Sequence, residues 1–368
     1  MVRAALLTAP GSPLEIPDDV ELEAPRAGEV RLAMAASGVC HSDLAMRDGT
    51  MPVCLPAVLG HEGAGVVVEV GAGVDHLAPG DHVLVSWVPQ CGSCYFCRRG
   101  QPQLCTEADT VMVTGGLLDG TPRFRWRGRE AFQMCGCGTF AEETVIAATG
   151  AVAVPADLDL TVATLLGCGV LTGVGAALNT ASITEGDVVA VVGCGGVGLN
   201  VVQGARLAGA GTIVAVDTNP TKLALAEAMG ATHCIDASRA NPVSAVMSLS
   251  GERGADVAFE VVGLGPTIDQ VVAMTRRGGQ AVLVGIPPMD VTLTVPAWVG
   301  LILQAKTIKG CWYGSADVRR DVPRLIELYR GGELHLDELV SRRIELAEVN
   351  DAFRAMNAGE VARSVIVY

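Results

Sequence analysis

Cys91, Cys94, Cys97 and Cys105 stand in the pattern Cys-x-x-Cys-x-x-Cys-x7-Cys. Four thiolates in so short a loop can close a tetrahedral zinc shell with no position left for water, which makes the site structural. Their neighbours Gln90, Ser93, Arg98 and Arg99 do not read as a packed core. A second set of metal-type residues is scattered. Cys40 sits in Gly-Val-Cys40-His41-Ser42-Asp43, His61 in Gly60-His61-Glu62-Gly63, and Cys168 in Gly167-Cys168-Gly169. Taken singly these say little, because a lone cysteine is more often a small buried hydrophobe.

Gly193-Cys-Gly195-Gly196-Val197-Gly198 follows the apolar run Val188–Val192, precedes a helical pattern, and is followed by Asp217 at the end of the next apolar run. Each part has a task in dinucleotide binding. Gly193 permits a tight turn, Gly195 lets a pyrophosphate approach the backbone, and Gly198 lets helix and sheet pack closely. The helix N-terminus offers its unsatisfied N–H groups to the phosphates. Asp217 can accept the adenosine ribose hydroxyls and would repel a 2′-phosphate, which favours NAD over NADP.

These residues need elements to position them. Up to about Gly169 the chain is rich in glycine, proline and short valine runs, with Val30–Met34, Gly65–Val70 and His82–Trp87 reading as strands of an irregular all-β unit. From Val170 to Trp312 apolar strands (Val188–Val192, Ile213–Val216, Asp256–Val261, Gln280–Val284) alternate with helical patterns (Gly198–Ala208, Pro220–Met229, Pro242–Ser250, Thr267–Thr275). That alternation predicts a doubly wound parallel sheet, buried on both faces. The remainder predicts helices over Val318–Tyr329 and Leu346–Ala358 and a last strand, Ser364–Tyr368, that returns to the first domain.

The 368 residues suggest two domains, and the net charge of −14 argues against nucleic acid and anionic membrane surfaces. No apolar run reaches the roughly 18 residues of a membrane span. Twelve cysteines in a long chain without a signal-like N-terminus point to metal-bound thiolates in a reducing, cytoplasmic setting rather than to a disulfide framework.

The order of these motifs resembles the zinc-containing medium-chain dehydrogenase/reductase family along the whole chain. The segment Glu107–Gly136 is similar to that of the longer liver-type and class III-like alcohol dehydrogenases, and the ending Gly359–Ser364 to a bacterial branch of them. The resemblance implies an α/β protein with a GroES-like β-rich catalytic domain (1–169 and 313–368) and a Rossmann NAD-binding domain (170–312), with the active site in the cleft between them. It implies two zincs per chain: a catalytic one on Cys40, His61 and Cys168, and a structural one on the four-cysteine lobe. Glu62 would lie behind the catalytic metal, Asp43 would orient His61, and Ser42 would relay a proton from an alcohol activated as a zinc-bound alkoxide. The histidine that ends this relay in many relatives is replaced here by Ala45.

By the same resemblance His41 and Arg363 would contact the cofactor pyrophosphate and Lys222 the adenosine ribose. Thr172, Val261, Val284 and Ile286 would complete the cofactor site. Trp87, Met134, Cys135, Ile286 and Trp312 would line the substrate pocket. The implied reaction moves a hydride between a primary alcohol, aromatic or medium-chain, and NAD, giving the aldehyde. The alternative is oxidation of a thiol–formaldehyde adduct. Glutathione-using relatives carry an arginine shortly after the four-cysteine lobe, but Thr106–Pro122 holds no lysine or arginine. A non-catalytic dinucleotide sensor would discard the catalytic ligands, and a single zinc per chain would mark it. The long segment resembles the dimeric class, so a homodimer is expected, with a tetramer as the other form.

Overall fold

The computed structural model describes all residues from Met1 to Tyr368. The chain divides into two compact units: Met1–Cys168 with Asp317–Glu327 and Leu336–Tyr368, and Gly169–Ala316 with Leu328–His335.

In the first unit the long strand Glu29–Val39 organises a seven-stranded sheet. It pairs antiparallel with Glu62–Val70, Glu143–Ala147 and Arg363–Val367. The C-terminal strand therefore returns to the N-terminal sheet, where Val340–Ile344 joins it in parallel. A second, five-stranded sheet holds Leu6–Leu7, Ala57–Val58, Arg129–Gln133, Phe124–Trp126 and Glu21–Leu22. Leu7, Leu59, Phe140, Phe353 and Ile366 belong to one core cluster. The unit is less purely β than its sequence suggests. Helices His41–Arg47 and Thr106–Thr114 sit among its strands, short enough that their apolar positions give no helical period.

The second unit carries a six-stranded, all-parallel sheet in the order His233–Asp236, Thr212–Asp217, Val188–Val192, Ala255–Glu260, Thr275–Leu283, Thr307–Gly310. The central Val188–Val192 is buried along its whole length, as its unbroken apolar run requires. Helices Gly196–Leu207, Pro220–Ala228, Pro242–Leu249 and Gly265–Met274 lie between the strands in sequence. Two start on asparagine caps, with Asn219 accepting from the Thr221 N–H and Asn241 from the Ser244 N–H.

The unit runs past the boundary set at Trp312. Gly314 packs so tightly on helix Gly169–Gly175 that a Cβ at Gly175 would meet the Gly314 oxygen at 2.4 Å. Leu328–His335 also belongs here. The fully buried Gln203 donates to the His335 carbonyl (3.0 Å) and accepts from its N–H (2.7 Å). No single helix is long and apolar enough to cross a membrane.

Candidate active site

Strand Glu29–Val39 runs straight into Cys40, the residue before helix His41–Arg47. Asp43 in the first turn is fully buried and accepts the Cys40 N–H at 2.8 Å and the Gly60 N–H at 3.2 Å. The same carboxylate lies 3.1 Å from Nδ1 of His61. Asp43 thereby joins two distant segments and fixes the ring so that Nε2 is left for a metal. Glu62 opens strand Glu62–Val70, and its carbonyl accepts from Thr164 Oγ1 at 2.7 Å, next to the turn that carries Cys168.

The structure so brings together Cys40, His61, Glu62 and Cys168, all buried, with one ligand atom from each within 4.8 Å of the others. Two thiolates, an imidazole and a carboxylate are a donor set suited to zinc. The Cys168 side chain draws the Cys40 thiol well below its usual pKa, against the effect of burial, and Arg363 adds to the effect. Burial pushes the Glu62 carboxyl up to about 7, with Arg363 pulling the other way. A Cβ on Gly38 would stand 2.2 Å from Glu62 Oε2, so the carboxylate fits only because that position is glycine. Ser42, half-buried, holds its hydroxyl 3.8 Å from the Cys40 sulfur. Trp87 packs edge-on to His61, with ring centroids 6.5 Å apart.

In the four-cysteine lobe the sulfur separations are 3.5 Å (Cys91–Cys105), 3.9 Å (Cys94–Cys105) and 4.0 Å (Cys91–Cys97). Ligands about 2.3 Å from a tetrahedral zinc stand about 3.8 Å apart, so the four thiols fit the ion. Backbone N–H groups of Ser93 and Cys94 point at Cys91, and that of Cys97 at Cys94. The Cys97 N–H helps bring the Cys94 thiol down to about 5.

In the second unit Gly193 adopts φ +97°. A Cβ on Gly198 would fall 1.7 Å from the Gly193 oxygen, whereas one on Gly195 would meet nothing within 4 Å. Gly198 therefore serves the fold, and Gly195 borders open space. That space faces the N-terminus of Gly196–Leu207, which has no side-chain cap, so the loop fits a phosphate. Asp217 accepts the Cys194 N–H (2.8 Å) and the Asn219 N–H (2.9 Å), tying its strand end to the glycine turn. Gly196 and Val197 form the first helical turn, and Lys222 lies in the first turn of Pro220–Ala228. Val261 donates to the Val192 carbonyl and Val284 to that of Glu260, both at the same end of the sheet, and Ile286 is exposed just beyond. Thr172 is half-buried on Gly169–Gly175.

One residue lies elsewhere than the sequence suggests. Met134 is 2 % exposed and belongs to the core cluster of Leu59, Phe140 and Phe353, so it packs core rather than lining a pocket; Cys135 packs against that cluster, half-buried. Arg363 is buried with Nη2 3.4 Å from Glu62 Oε1 and Nη1 donating to the Val39 carbonyl. It faces the metal-type cluster, a placement created when the last strand pairs with Glu29–Val39. His41 is exposed at the start of its helix and Trp312 is 37 % exposed.

Comparison with known proteins matches residues 26–156 to the alcohol dehydrogenase GroES-like domain and residues 196–330 to the zinc-binding dehydrogenase family. The chain is similar to S-(hydroxymethyl)glutathione dehydrogenase of Escherichia coli O1:K1, with 40% identity over all of this chain and 99% of the relative. Among solved structures it is similar to an alcohol dehydrogenase zinc-binding domain protein of Burkholderia ambifaria (TM-score 0.94, 35% identity, covering 100% and 98% of the two chains). It is also similar to benzyl alcohol dehydrogenase of Acinetobacter calcoaceticus (TM-score 0.93, 31% identity, 100% and 99%).

Proposed function

We propose that this chain, which belongs to the zinc-dependent alcohol dehydrogenase family of oxidoreductases, oxidises a primary alcohol, aromatic or medium-chain, with NAD as hydride acceptor. The observation that carries the proposal is the buried cluster of Cys40, His61 and Cys168 with the Ser42 hydroxyl beside it. Zinc held there supplies Lewis acidity of the kind that lowers the pKa of water from 15.7 to about 7. Asp43 keeps His61 in the tautomer that presents Nε2. Arg363 neutralises Glu62, whose negative charge would otherwise stand uncompensated beside two thiolates. Ser42 Oγ receives the substrate hydroxyl proton. Because Ala45 offers no group to take it further, the proton leaves through solvent at the half-buried Ser42.

Asp217 supports NAD rather than NADP, since a 2′-phosphate would meet its carboxylate. The cluster and the four-cysteine lobe would hold one zinc each. The six free cysteines among these ligand-type residues support a cytoplasmic setting.

A second reading, oxidation of a hydroxymethyl–thiol adduct, is favoured by the identity with the Escherichia coli relative. Against glutathione itself, Thr106–Pro122 has no cation, and the next one, Arg123, is fully buried and committed to Glu29 and Asp119. NADH absorbance with NAD and a panel of primary alcohols including benzyl alcohol, beside formaldehyde with and without thiols, separates the two. NADH from simple alcohols supports the first reading. NADH only from formaldehyde plus a thiol replaces it with the second.

A homodimer is the expected assembly. Met289, Trp298, Val299, Ile302 and Leu303 are exposed, strand Thr307–Gly310 has one open edge, and a hollow of about 810 Å³ lined in part by Pro296, Val299 and Gly300 adjoins them. Trp298→Glu is expected to lower the mass measured by light scattering to that of one chain.

A further inference from the structure

Tyr313, Gly314 and Ser315 are left-handed in succession, with φ of +52°, +65° and +49°. L-residues enter that region singly and at a steric cost, so a run that includes a buried tyrosine needs something to hold it. Two side chains of one short segment hold it. Asn179 Nδ2 donates to the Gly314 carbonyl at 3.3 Å. Thr180 Oγ1 lies 2.8 Å from Ser315 Oγ and donates to the Cys311 sulfur at 3.3 Å, so the Ser315 hydroxyl supplies the proton of the first bond. Lys309 Nζ grips the Thr180 carbonyl at 3.1 Å. The backbones touch as well, since a Cβ on Gly314 would meet the Leu171 oxygen at 2.3 Å. Ala176–Thr180, which carries both clamping side chains, is wound as a π-helix, a form that recurs at functional sites.

The turn also has a telling position. It follows the carboxyl end of strand Thr307–Gly310, and the Cys311 N–H is bonded to the Leu283 carbonyl at the end of the neighbouring strand. Ligands of open parallel sheets bind beyond the carboxyl ends. With an adenosine ribose at Asp217 and phosphates at Gly193–Gly198, the other nucleotide must extend over the ends of Ala255–Glu260, Thr275–Leu283 and Thr307–Gly310.

We infer that Thr180, with Asn179 and Ser315, is a positioning clamp that holds the left-handed turn in the one arrangement able to receive the nicotinamide half of the cofactor. The inference rests on the dinucleotide reading above. Thr180 touches neither cofactor nor substrate; it acts through the turn.

The test measures NADH binding by fluorescence, the KM for NAD, kcat, zinc content and melting temperature for Thr180→Val, Thr180→Ser and Ser315→Ala. Thr180→Val and Ser315→Ala are expected to weaken NADH binding and raise the KM for NAD by about tenfold, the effect of losing one positioning hydrogen bond. Zinc content should be unchanged, the melting temperature should fall by no more than a few degrees, and Thr180→Ser should behave as wild type. NADH binding equal to wild type in Thr180→Val and Ser315→Ala overturns the clamp, as does a binding loss that Thr180→Ser shares. Wild-type protein that binds neither NADH nor NADPH overturns the dinucleotide reading and the clamp with it.

Discussion

The thiols of Cys91, Cys94 and Cys97 are half-buried within one short loop, whereas Cys40, His61 and Cys168 are buried and come from three separate parts of the chain. The lobe is braced by its own backbone, with N–H groups of its residues directed at its sulfurs. The inner cluster is braced by side chains with work of their own: Asp43 on His61, Arg363 on Glu62, Thr164 on the Glu62 carbonyl. A lobe whose four ligands close the shell can only stabilise. A cluster with a hydroxyl beside it and a carboxylate paired to an arginine can do chemistry. The difference predicts that damage to the two sites separates activity from stability.

His61→Ala is expected to show the largest effect on turnover, a fall in kcat/KM of about a thousandfold, ~4 kcal/mol of lost transition-state stabilisation. One zinc should be lost and the fold kept, as read by steady-state kinetics, metal analysis and circular dichroism. Cys97→Ser should invert the pattern, losing the other zinc and several degrees of melting temperature while surviving molecules keep most of their turnover. If both variants lose activity and stability together, the two sites are not distinct in role. Asp43→Asn sharpens the comparison, because it keeps the shape of the group and removes its charge. Zinc affinity or activity should fall by about 10- to 100-fold, the usual cost of an altered partner to a ligand histidine.

The glycine loop draws the same line between fold and function inside one motif. Gly195→Ala should leave the melting temperature unchanged, since its Cβ meets nothing, and weaken NADH binding by about tenfold. The smallest effect is expected at Asp256, outside both clusters. Burial opposes its charge, but the Val188 N–H and Arg276 outweigh it and hold its pKa below the usual carboxylate value. A depressed pKa contributes stability above the unfolded value of about 3.9, and the contribution is lost as pH falls through the folded value. Asp256→Asn should therefore lower the melting temperature slightly at pH 7, and by less as the pH falls below the usual carboxylate range.

What could be read from the chain follows from how local each signal is. Val188–Val192 announces a strand buried on both faces, and Gly193 to Gly198 needs only its neighbours to be recognised. The four cysteines declare themselves by spacing. Cys40, His61 and Cys168 do not, and resemblance rather than spacing grouped them, because the contacts that join them span most of the first unit. The pairing of Arg363 with Glu62 has no local signal, because it arises only when the last strand pairs with Glu29–Val39. Met134 is as apolar as a pocket residue and as a core residue, and only packing distinguishes them. The left-handed turn was invisible because Tyr313 and Ser315 carry no preference for positive φ. Leu328–His335 sides with the second unit through the buried Gln203, bonded to His335, and through Arg206, which donates to the Glu333 carbonyl.

The most direct test measures zinc content and benzyl-alcohol-dependent NADH formation on the same preparations of wild type and Cys40→Ser. The account predicts two zincs and turnover in wild type, and one zinc, a native fold and NADH formation cut by up to about a thousandfold in the variant. Cys40→Ser protein that still forms NADH at the wild-type rate would contradict it.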